Sequence, residues 1–266
     1  MRIENITSAQ NPKIQTLLAL QEKSKERRKK GLFVVEGRRE LLHCIEAGYD
    51  PYTIFFCREI ISEEDLMHIA EKCTCSFIEI PRHLSDKVAY GGGTEGIIAE
   101  LKCKEKRLED LKLKDNPLIV ILESVEKPGN LGAVLRSADA SGADAVIVCD
   151  PLTDLYNPNL IRSSIGGIFT VQTATATSEE TIKWLKANNI KIYTAQLQDS
   201  KWYYDTDMTG GTAIIMGTEA TGLTDIWRQA ADSHIKIPML GKLDSLNVSV
   251  SAAILLFEAV KQRNTK

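Results

Sequence analysis

Strand-like and helix-like segments alternate regularly through the second half of this 266-residue chain. The predicted strands are short apolar runs rich in β-branched residues, at residues 118–122, 145–149, 170–172, 190–195, 213–216 and 234–237. Segments with helical periodicity lie between or after them, at residues 131–140, 159–165, 179–188, 223–231 and 248–263. This alternation predicts a parallel sheet sandwiched by helices, with ligands bound at the carboxyl ends of the strands.

The first part of the chain predicts a smaller α/β unit in the order β-α-β-α-β-β. Its predicted strands are at residues 32–36, 54–57, 77–81 and 96–101. A charged stretch that ends in Asp115-Asn116-Pro117 is typical of a boundary between domains. We therefore predict an accessory domain at residues 1–103, a linker at 104–116 and a second domain at 117–266.

Charge is distributed unevenly along the chain. The net charge of −3 argues against a surface that binds nucleic acid everywhere, because phosphate binding needs a basic field. Residues 1–40 nevertheless hold ten Lys and Arg against five acids, and Lys29 and Lys30 stand directly before a predicted strand. This stretch is either a phosphate-contacting face or a solvated helix, and the sequence leaves both open.

Several classes of protein are excluded or disfavoured. No apolar run approaches the ~20 residues of a bilayer span, and the first residues show no secretory signal, so we expect a cytoplasmic protein without a membrane partner. The four histidines lack metal-ligand spacing, and no metal is expected. Residues 91–96 match G-x-G-x-x-G, but residues 97–101 resemble a strand where a dinucleotide-binding turn needs a helix. We interpret residues 91–96 as a loop.

Two polar motifs follow strands of the second half. The first, N-x-G-x-x-x-R, runs from Asn130 to Arg136 and could be a capped helix with a surface arginine. The second, G-x-E-x-x-G-L, runs from Gly217 to Leu223 and could be a plain tight turn. Each also suits a ligand site, because both follow the carboxyl end of a predicted strand.

A third motif follows the last predicted strand. Ile237-Pro238-Met239 leads through a loop into S-L-N-V-S-V-S at residues 245–251, ahead of a long helix. An N-cap explains one of these polar side chains and not the whole run.

In this order and spacing, the three motifs resemble those of the SpoU (TrmH-like) RNA 2′-O-ribose methyltransferases of the SPOUT superfamily. The resemblance covers residues 117–263. Residues 33–38 are similar to part of that family's accessory substrate-binding domain, which is similar to a small ribosomal protein. Residues 94–96 depart from the Gln-Gly pattern common there, which leaves the target nucleotide open.

The resemblance implies a fold, a cofactor and partners. The implied fold is a parallel-sheet α/β/α domain with a trefoil knot, preceded by a smaller N-terminal α/β domain and assembled as a homodimer. The implied reaction is S-adenosylmethionine-dependent methylation of a ribose 2′-oxygen in structured RNA, above all 23S ribosomal RNA, and not in DNA. The accessory domain favours ribosomal RNA, because members that act on tRNA commonly carry only short flanking helices.

The resemblance also implies site residues. The implied cofactor-binding residues are Ala195, Leu197, Gly217, Thr218, Glu219, Ile237, Met239, Leu246, Asn247 and Ser251. The implied catalytic residues are Arg136, Asn130, Glu219, Ser245 and Asn247. The resemblance implies that Arg136 acts on the 2′-hydroxyl either as a base or as a clamp for phosphate and developing alkoxide, and a neutral guanidine is scarce because arginine is a very weak acid. We expect RNA contacts at Lys29, Lys30, Arg38 and Arg39.

Three alternatives remain at this point. The chain could methylate tRNA, or it could be a non-catalytic RNA-binding or ribosome-assembly factor on the same scaffold. A nicotinamide-dependent oxidoreductase fits the strand-helix alternation but lacks the glycine fingerprint after its first strand. The non-catalytic alternative is disfavoured because the chain retains all four of the family's polar motif residues, Asn130, Arg136, Glu219 and Asn247.

Overall fold

The computed structural model of the protein describes residues 3–90 and 95–264. The chain divides into two units, each with its own sheet. The first unit comprises Met1–Glu105 and Asp154–Phe169, and the second comprises Lys106–Thr153 and Thr170–Lys266. Within the described ranges, no helix combines the length and the hydropathy that crossing a lipid bilayer requires.

The described part of the first unit contains a mixed sheet of five strands. The strands are β1 (Ile3–Asn5), β2 (Leu32–Glu36), β3 (Pro51–Phe56), β4 (Ser76–Glu79) and β5 (Ile97–Lys102), in the spatial order β1-β4-β3-β5-β2. Strand β5 is antiparallel to both its neighbours, and the other pairs are parallel. The accompanying helices are α1 (Pro12–Glu22), α2 (Ser24–Lys30), α3 (Arg38–Glu46), α4 (Glu63–Lys72) and α5 (Arg82–Val88). The prediction missed β1 and α5, which are short.

The glycine-rich stretch at residues 91–96 lies mostly outside the described residues, which resume at Glu95. The segment that follows it is the strand β5, as predicted, and not a helix. Gly96 has a φ of +75°, and an added Cβ would lie 2.8 Å from Ile61 N. A glycine is therefore required at this position by the backbone itself.

The second unit contains, in its described residues, a sheet whose adjacent strands are all parallel. Its strands are β6 (Leu118–Glu123), β7 (Ala145–Cys149), β8 (Thr173–Ala176), β9 (Lys191–Ala195), β10 (Lys201–Trp202), β11 (Thr212–Met216) and β12 (Ser233–Lys236), in the order β10-β12-β9-β11-β6-β7-β8. The helices that follow α5 along the chain are α6 (Pro128–Ser141), α7 (Pro158–Ser163), α8 (Gly167–Thr170), α9 (Ser178–Ala187), α10 (Asp225–Ala230) and α11 (Val248–Asn264). Of these, α7 and all but the last residue of α8 belong to the first unit. The predicted parallel sheet is confirmed.

Burial on both faces explains why the central strands are continuous apolar runs. Ile119 and Ile121 of β6 belong to one buried cluster with Leu185 of α9 and Trp227 of α10. Helices α6 and α11 pack against each other, and α11 also packs against β6 and β11. The sheet is thereby fixed between two helix layers, and its carboxyl edge is left for the loops.

One predicted strand is wrong. Residues 170–172 were expected to be a strand because of their β-branched side chains, but Thr170 ends α8 and the strand begins at Thr173. Gly166, with a φ of +80°, ends a tight turn at residues 164–166, and α8 follows directly. The ladder with β7 starts only where Val146 pairs with Thr173.

The first unit includes a segment from the later half of the sequence, Asp154–Phe169, so the predicted domain at residues 117–266 is not continuous. Arg27, only 3% exposed, donates to Asp154 Oδ2 at 2.6 Å. The ring of Tyr156 stacks on Phe33 with a centroid distance of 4.3 Å. Burial of these aromatic rings and of an ion pair makes the segment part of the core of the first unit.

Candidate active site

The three polar motifs follow the carboxyl ends of strands in one parallel sheet. The first follows β6, the second follows its neighbour β11, and the third follows β12. Carboxyl ends of parallel strands lie along one edge, so these loops share the edge at which α/β proteins bind ligands.

The first motif starts a helix differently from the expected cap. Helix α6 begins at Pro128, with Lys127 at the N-cap position. Proline is favoured at this first position because its missing N–H has no partner there. The alternative interpretation of Asn130 as the helix cap is wrong, because Asn130 lies inside the first turn and its side chain is available elsewhere.

The second motif folds back on itself. Thr218 and Gly222 exchange backbone hydrogen bonds at 3.2 and 3.0 Å. A Cβ on Gly217 would lie 2.3 Å from the carbonyl carbon of Gly222, so only glycine fits. The second motif therefore forms a tight turn, and this turn fixes the backbone position of Glu219.

In the third motif, the side-chain amide of Asn247 forms hydrogen bonds through both its oxygen and its nitrogen. Asn247 Oδ1 accepts hydrogen bonds from Ser249 N at 3.0 Å and Ser249 Oγ at 2.6 Å, at the start of α11. Its Nδ2 donates to Glu219 Oε1 at 2.7 Å and to Asn130 Oδ1 at 3.1 Å. Asn247 therefore both caps the helix and joins the other two motifs.

Glu219 is the centre of this polar cluster, which consists of Lys127, Asn130, Glu219 and Asn247. Its Oε1 also accepts from Asn130 Nδ2 at 3.1 Å, and its Oε2 accepts from Lys127 Nζ at 3.2 Å. The hydrogen bond and charge of Lys127, followed by the bond from Asn130, hold the pKa of Glu219 below its usual value. Glu219 is therefore a carboxylate that accepts from three side chains.

A cavity of about 330 Å³ adjoins the cluster, within the range of small-molecule sites. Glu219 lines it, as do the other predicted cofactor-binding residues Ala195, Leu197, Gly217, Thr218, Ile237, Met239, Leu246 and Ser251. Asn247 does not line this cavity and instead contacts its wall through Glu219. Apolar walls are added by Met216, Leu223, Ile235, Val248 and Leu255.

Two polar side chains that line the cavity were missed by the sequence analysis. The Oε1 atom of Gln196 and the Nε atom of Arg228 are buried and have no hydrogen-bond partner among the described residues. A buried polar atom without a partner is costly, and a ligand would supply one. Nothing in the sequence neighbourhood of Arg228 distinguishes it. Gln196 could have been found because it lies between the predicted residues Ala195 and Leu197, and Lys127 because it precedes the first motif by three positions.

The structure places two predicted catalytic residues outside the cluster. Ser245 lines the cavity, is exposed, and donates to Asp244 Oδ1 at 3.4 Å. Arg136 lies on the exposed face of α6. Asn130, Glu219 and Asn247 are thus brought together, while Ser245 and Arg136 are not bonded to them.

The four predicted RNA-contacting residues differ in their surroundings. Lys29 and Lys30 are exposed in the last turn of α2. Arg38 pairs with Asp65, and Arg39 pairs with Glu40 at 2.7 Å. Because their charges are paired with carboxylates, the two arginines are less available to bind phosphate than the two lysines.

A cavity at the carboxyl edge of a parallel sheet, with a carboxylate held by amides on its wall, defines a ligand site of an α/β enzyme. Residues 117–257 match the SpoU rRNA Methylase family, and residues 11–99 match an MRM3-like substrate binding domain. The chain belongs to the SpoU rRNA methylase family.

Relatives with assigned activities and solved structures agree with this family. The chain is 38% identical over 194 residues to the 23S rRNA (guanosine-2′-O-)-methyltransferase RlmB of Vibrio vulnificus, covering 71% of this chain and 78% of the relative. It is similar to a crystal structure of an RNA 2′-O ribose methyltransferase, with a TM-score of 0.84, 36% identity, and 98% and 99% of the two chains covered. It is also similar to the SpoU methyltransferase AviRb of Streptomyces viridochromogenes in complex with AdoMet, with a TM-score of 0.89, 26% identity, and 96% and 99% coverage.

Proposed function

We propose that this protein transfers a methyl group from S-adenosylmethionine to a ribose 2′-hydroxyl of 23S ribosomal RNA. One observation carries the proposal: Glu219 belongs both to the polar cluster that joins the three motifs and to the wall of the cavity. The relatives named above supply the reaction type and the ribosomal substrate. Such a substrate would place the protein in the cytoplasm.

The cavity fits the proposed cofactor. Adenine and the methionine chain need apolar walls, which Leu223, Ile237 and Leu246 provide. Ribose hydroxyls and the methionine amino and carboxylate groups need polar partners, and the buried Gln196 Oε1 and Arg228 Nε offer one acceptor and one donor. When bound, the cofactor supplies an electrophilic methyl group on a sulfonium.

The residues of the cluster have positioning roles in this proposal. Transfer requires the sugar oxygen to line up with the methyl group, and misplacement by 1 Å can cost about 100-fold in rate. Glu219, fixed by Asn130, Asn247 and Lys127, holds that side of the cavity wall rigidly. Ser245, on the exposed rim, is placed to contact the entering nucleotide.

Arg136 is proposed to act on the RNA and not on the cofactor. It lies outside the polar cluster, on an exposed helix face that RNA can reach. There it can hold the phosphate beside the target ribose and stabilise the developing alkoxide. The clamp is preferred to the base because the planar guanidinium group binds phosphate in bidentate fashion.

RNA contacts are proposed for the first unit. The match to a substrate binding domain covers most of its sequence. Lys29 and Lys30 are the best candidates for phosphate contacts, since both are exposed on a short basic helix. Arg38 and Arg39 would have to exchange Asp65 and Glu40 for phosphate.

A homodimer is proposed from exposed apolar side chains in the second unit. Leu240 is 97% exposed and Leu243 is 76% exposed, in the loop before α11. Val250 and Phe257 on α11 are each about half exposed. Exposed apolar groups of this size are typical of a surface that a partner covers.

Calorimetry and RNA methylation together test the proposed function. We expect S-adenosylmethionine to bind and NAD not to bind. With unmethylated 23S rRNA, labelled methyl should appear in RNA as a 2′-O-methyl nucleotide. Binding of NAD alone would contradict the proposal, and cofactor binding without transfer would favour the non-catalytic alternative.

A further inference from the structure

We propose that Trp202 and Tyr204 form a stacking surface for an unpaired base of the RNA substrate, next to the proposed cofactor cavity. We call the surface formed by Trp202, Tyr204 and Lys236 the aromatic edge. The inference rests on the proposed function and extends it by identifying a contact for nucleotides beside the target.

The aromatic edge lies at the carboxyl end of the outermost strand. Strand β10 is the edge strand of the sheet, and Trp202 pairs in register with Lys236 of β12. Lys236 and the next residue, Ile237, both line the cavity. A base stacked on Trp202 would therefore lie close to the proposed cofactor, and so to the target nucleotide at the rim of the cavity.

The rings are arranged as an accessible surface. Trp202 is 40% exposed and Tyr204 is 47% exposed. Their planes are nearly parallel, with an angle of 23° and a centroid distance of 6.4 Å. Tyr203 supports Tyr204 edge-on at 5.1 Å. Because Tyr203–Asp205 is a short 3₁₀ turn, these consecutive aromatic residues are held in one orientation.

The cation at the rings favours RNA as the occupant of this surface. Lys236 Nζ lies over the Trp202 ring, 4.8 Å from its centroid, and the segment around Trp202 also holds the exposed acids Asp199 and Asp205. Lysines next to aromatic faces suit single-stranded nucleic acid, in which bases stack and phosphates are negative. Every base has a π-face, so such a surface adds affinity without demanding a sequence.

Substitution of Trp202 tests the inference on the full chain. Trp202→Ala should weaken binding of an unmethylated 23S rRNA transcript about 5- to 100-fold, the range for loss of one aromatic stack. Trp202→Phe should keep most of the affinity, because a phenyl ring still stacks. The affinity for S-adenosylmethionine, measured by calorimetry, should stay unchanged in both variants.

Fluorescence gives a direct readout of the same contact. Trp227 is fully buried and Trp184 is partly buried against the core. In a Trp184→Phe background, Trp202 is the accessible tryptophan, and a short oligoadenylate should quench its emission. The Trp184→Phe variant also serves as the control, with RNA affinity equal to that of the wild type.

The outcomes separate this inference from the proposed function. Unchanged RNA affinity in Trp202→Ala, with methyl transfer intact in the wild type, contradicts the aromatic edge alone. Conversion of a wild-type dimer to a monomer by Trp202→Ala makes the surface a subunit interface and overturns the inference. Reduced RNA affinity in a protein whose wild type transfers no methyl group supports the aromatic edge and contradicts the proposed function. A wild type that binds no RNA contradicts both.

Discussion

The amide nitrogen of Asn130 lies 3.1 Å from Glu219 Oε1, although 89 residues separate the two along the chain. Asn247, from a third segment, donates to the same oxygen at 2.7 Å. Two amides on one carboxylate oxygen form a rigid arrangement, since charge-assisted hydrogen bonds are roughly twice as strong as neutral ones. These hydrogen bonds join the three motifs into one polar cluster.

Glu219→Gln should lower methyl transfer by at least about 100-fold, because an amide presents a donor to Lys127, Asn130 or Asn247 where the carboxylate accepts. Thermal stability should change little, since Glu219 is exposed. Single-turnover rates and a melting curve check both. Glu126→Gln, an exposed neighbour of the cluster, is the matched control. A wild-type rate in Glu219→Gln would show that the polar cluster does not contribute to methyl transfer.

Arg136→Ala should abolish transfer and leave the affinity for S-adenosylmethionine nearly unchanged, because Arg136 lies on an exposed helix face outside the cluster. Arg136→Lys should recover only part of the rate, since an ammonium cannot bind a phosphate in bidentate fashion. Turnover and calorimetry provide the two measurements. Retention of normal turnover in the alanine variant would exclude a catalytic role for Arg136.

Asp154→Ala should destabilise the first unit by about 3 kcal/mol, because the buried Arg27 loses its counter-charge. Urea unfolding at constant salt measures the effect. Glu4→Ala breaks the exposed pair with Lys13 in the same unit and should cost less than about 1 kcal/mol. Equal effects of the two substitutions would show that Asp154–Phe169 is not part of that core.

The buried carboxyl group of Glu100 makes the free energy of unfolding depend on pH. It lies in β5, is 4% exposed, and burial raises its pKa from 4.5 to about 7. Between these two values the folded chain keeps a proton that the unfolded chain has released, so stability falls as pH rises through this window. The loss is complete above pH 7 and amounts to about 3 kcal/mol, at 1.36 kcal/mol for each unit of pKa.

Glu100→Gln tests this directly by chemical denaturation at two pH values. The variant should be more stable than the wild type by up to about 3 kcal/mol at pH 8, and by less than about 1 kcal/mol at pH 5. The comparison at each pH cancels the titration of all other groups. A difference that does not change with pH would contradict a raised pKa for Glu100.

The sequence was sufficient for the parallel sheet and for most of the cavity lining. Runs such as residues 118–122 are short, apolar on both faces and rich in β-branched residues, which is typical of a buried parallel strand. The residues that line the cavity were predicted from the family resemblance, because residues that bind a ligand through their backbone show no periodic pattern in the sequence. The trefoil knot, implied in the same way, stays a prediction.

Other features depend on contacts that a linear pattern does not contain. Arg27 looked like part of a solvated basic helix, but its partner Asp154 is 127 residues away. Strand β10 has two residues, too few for any period, and exists through pairing with β12. Asn130 suited a helix cap by sequence, but the helix begins at Pro128, three residues earlier than predicted.

The most direct test of the central claim is nucleotide-resolution mapping of 2′-O-methylation in 23S rRNA after incubation with purified protein and S-adenosylmethionine. The account predicts a new 2′-O-methyl group that is present with the wild type and absent with Glu219→Gln. Methyl groups found only on bases, or no methyl in RNA despite cofactor binding, would contradict it.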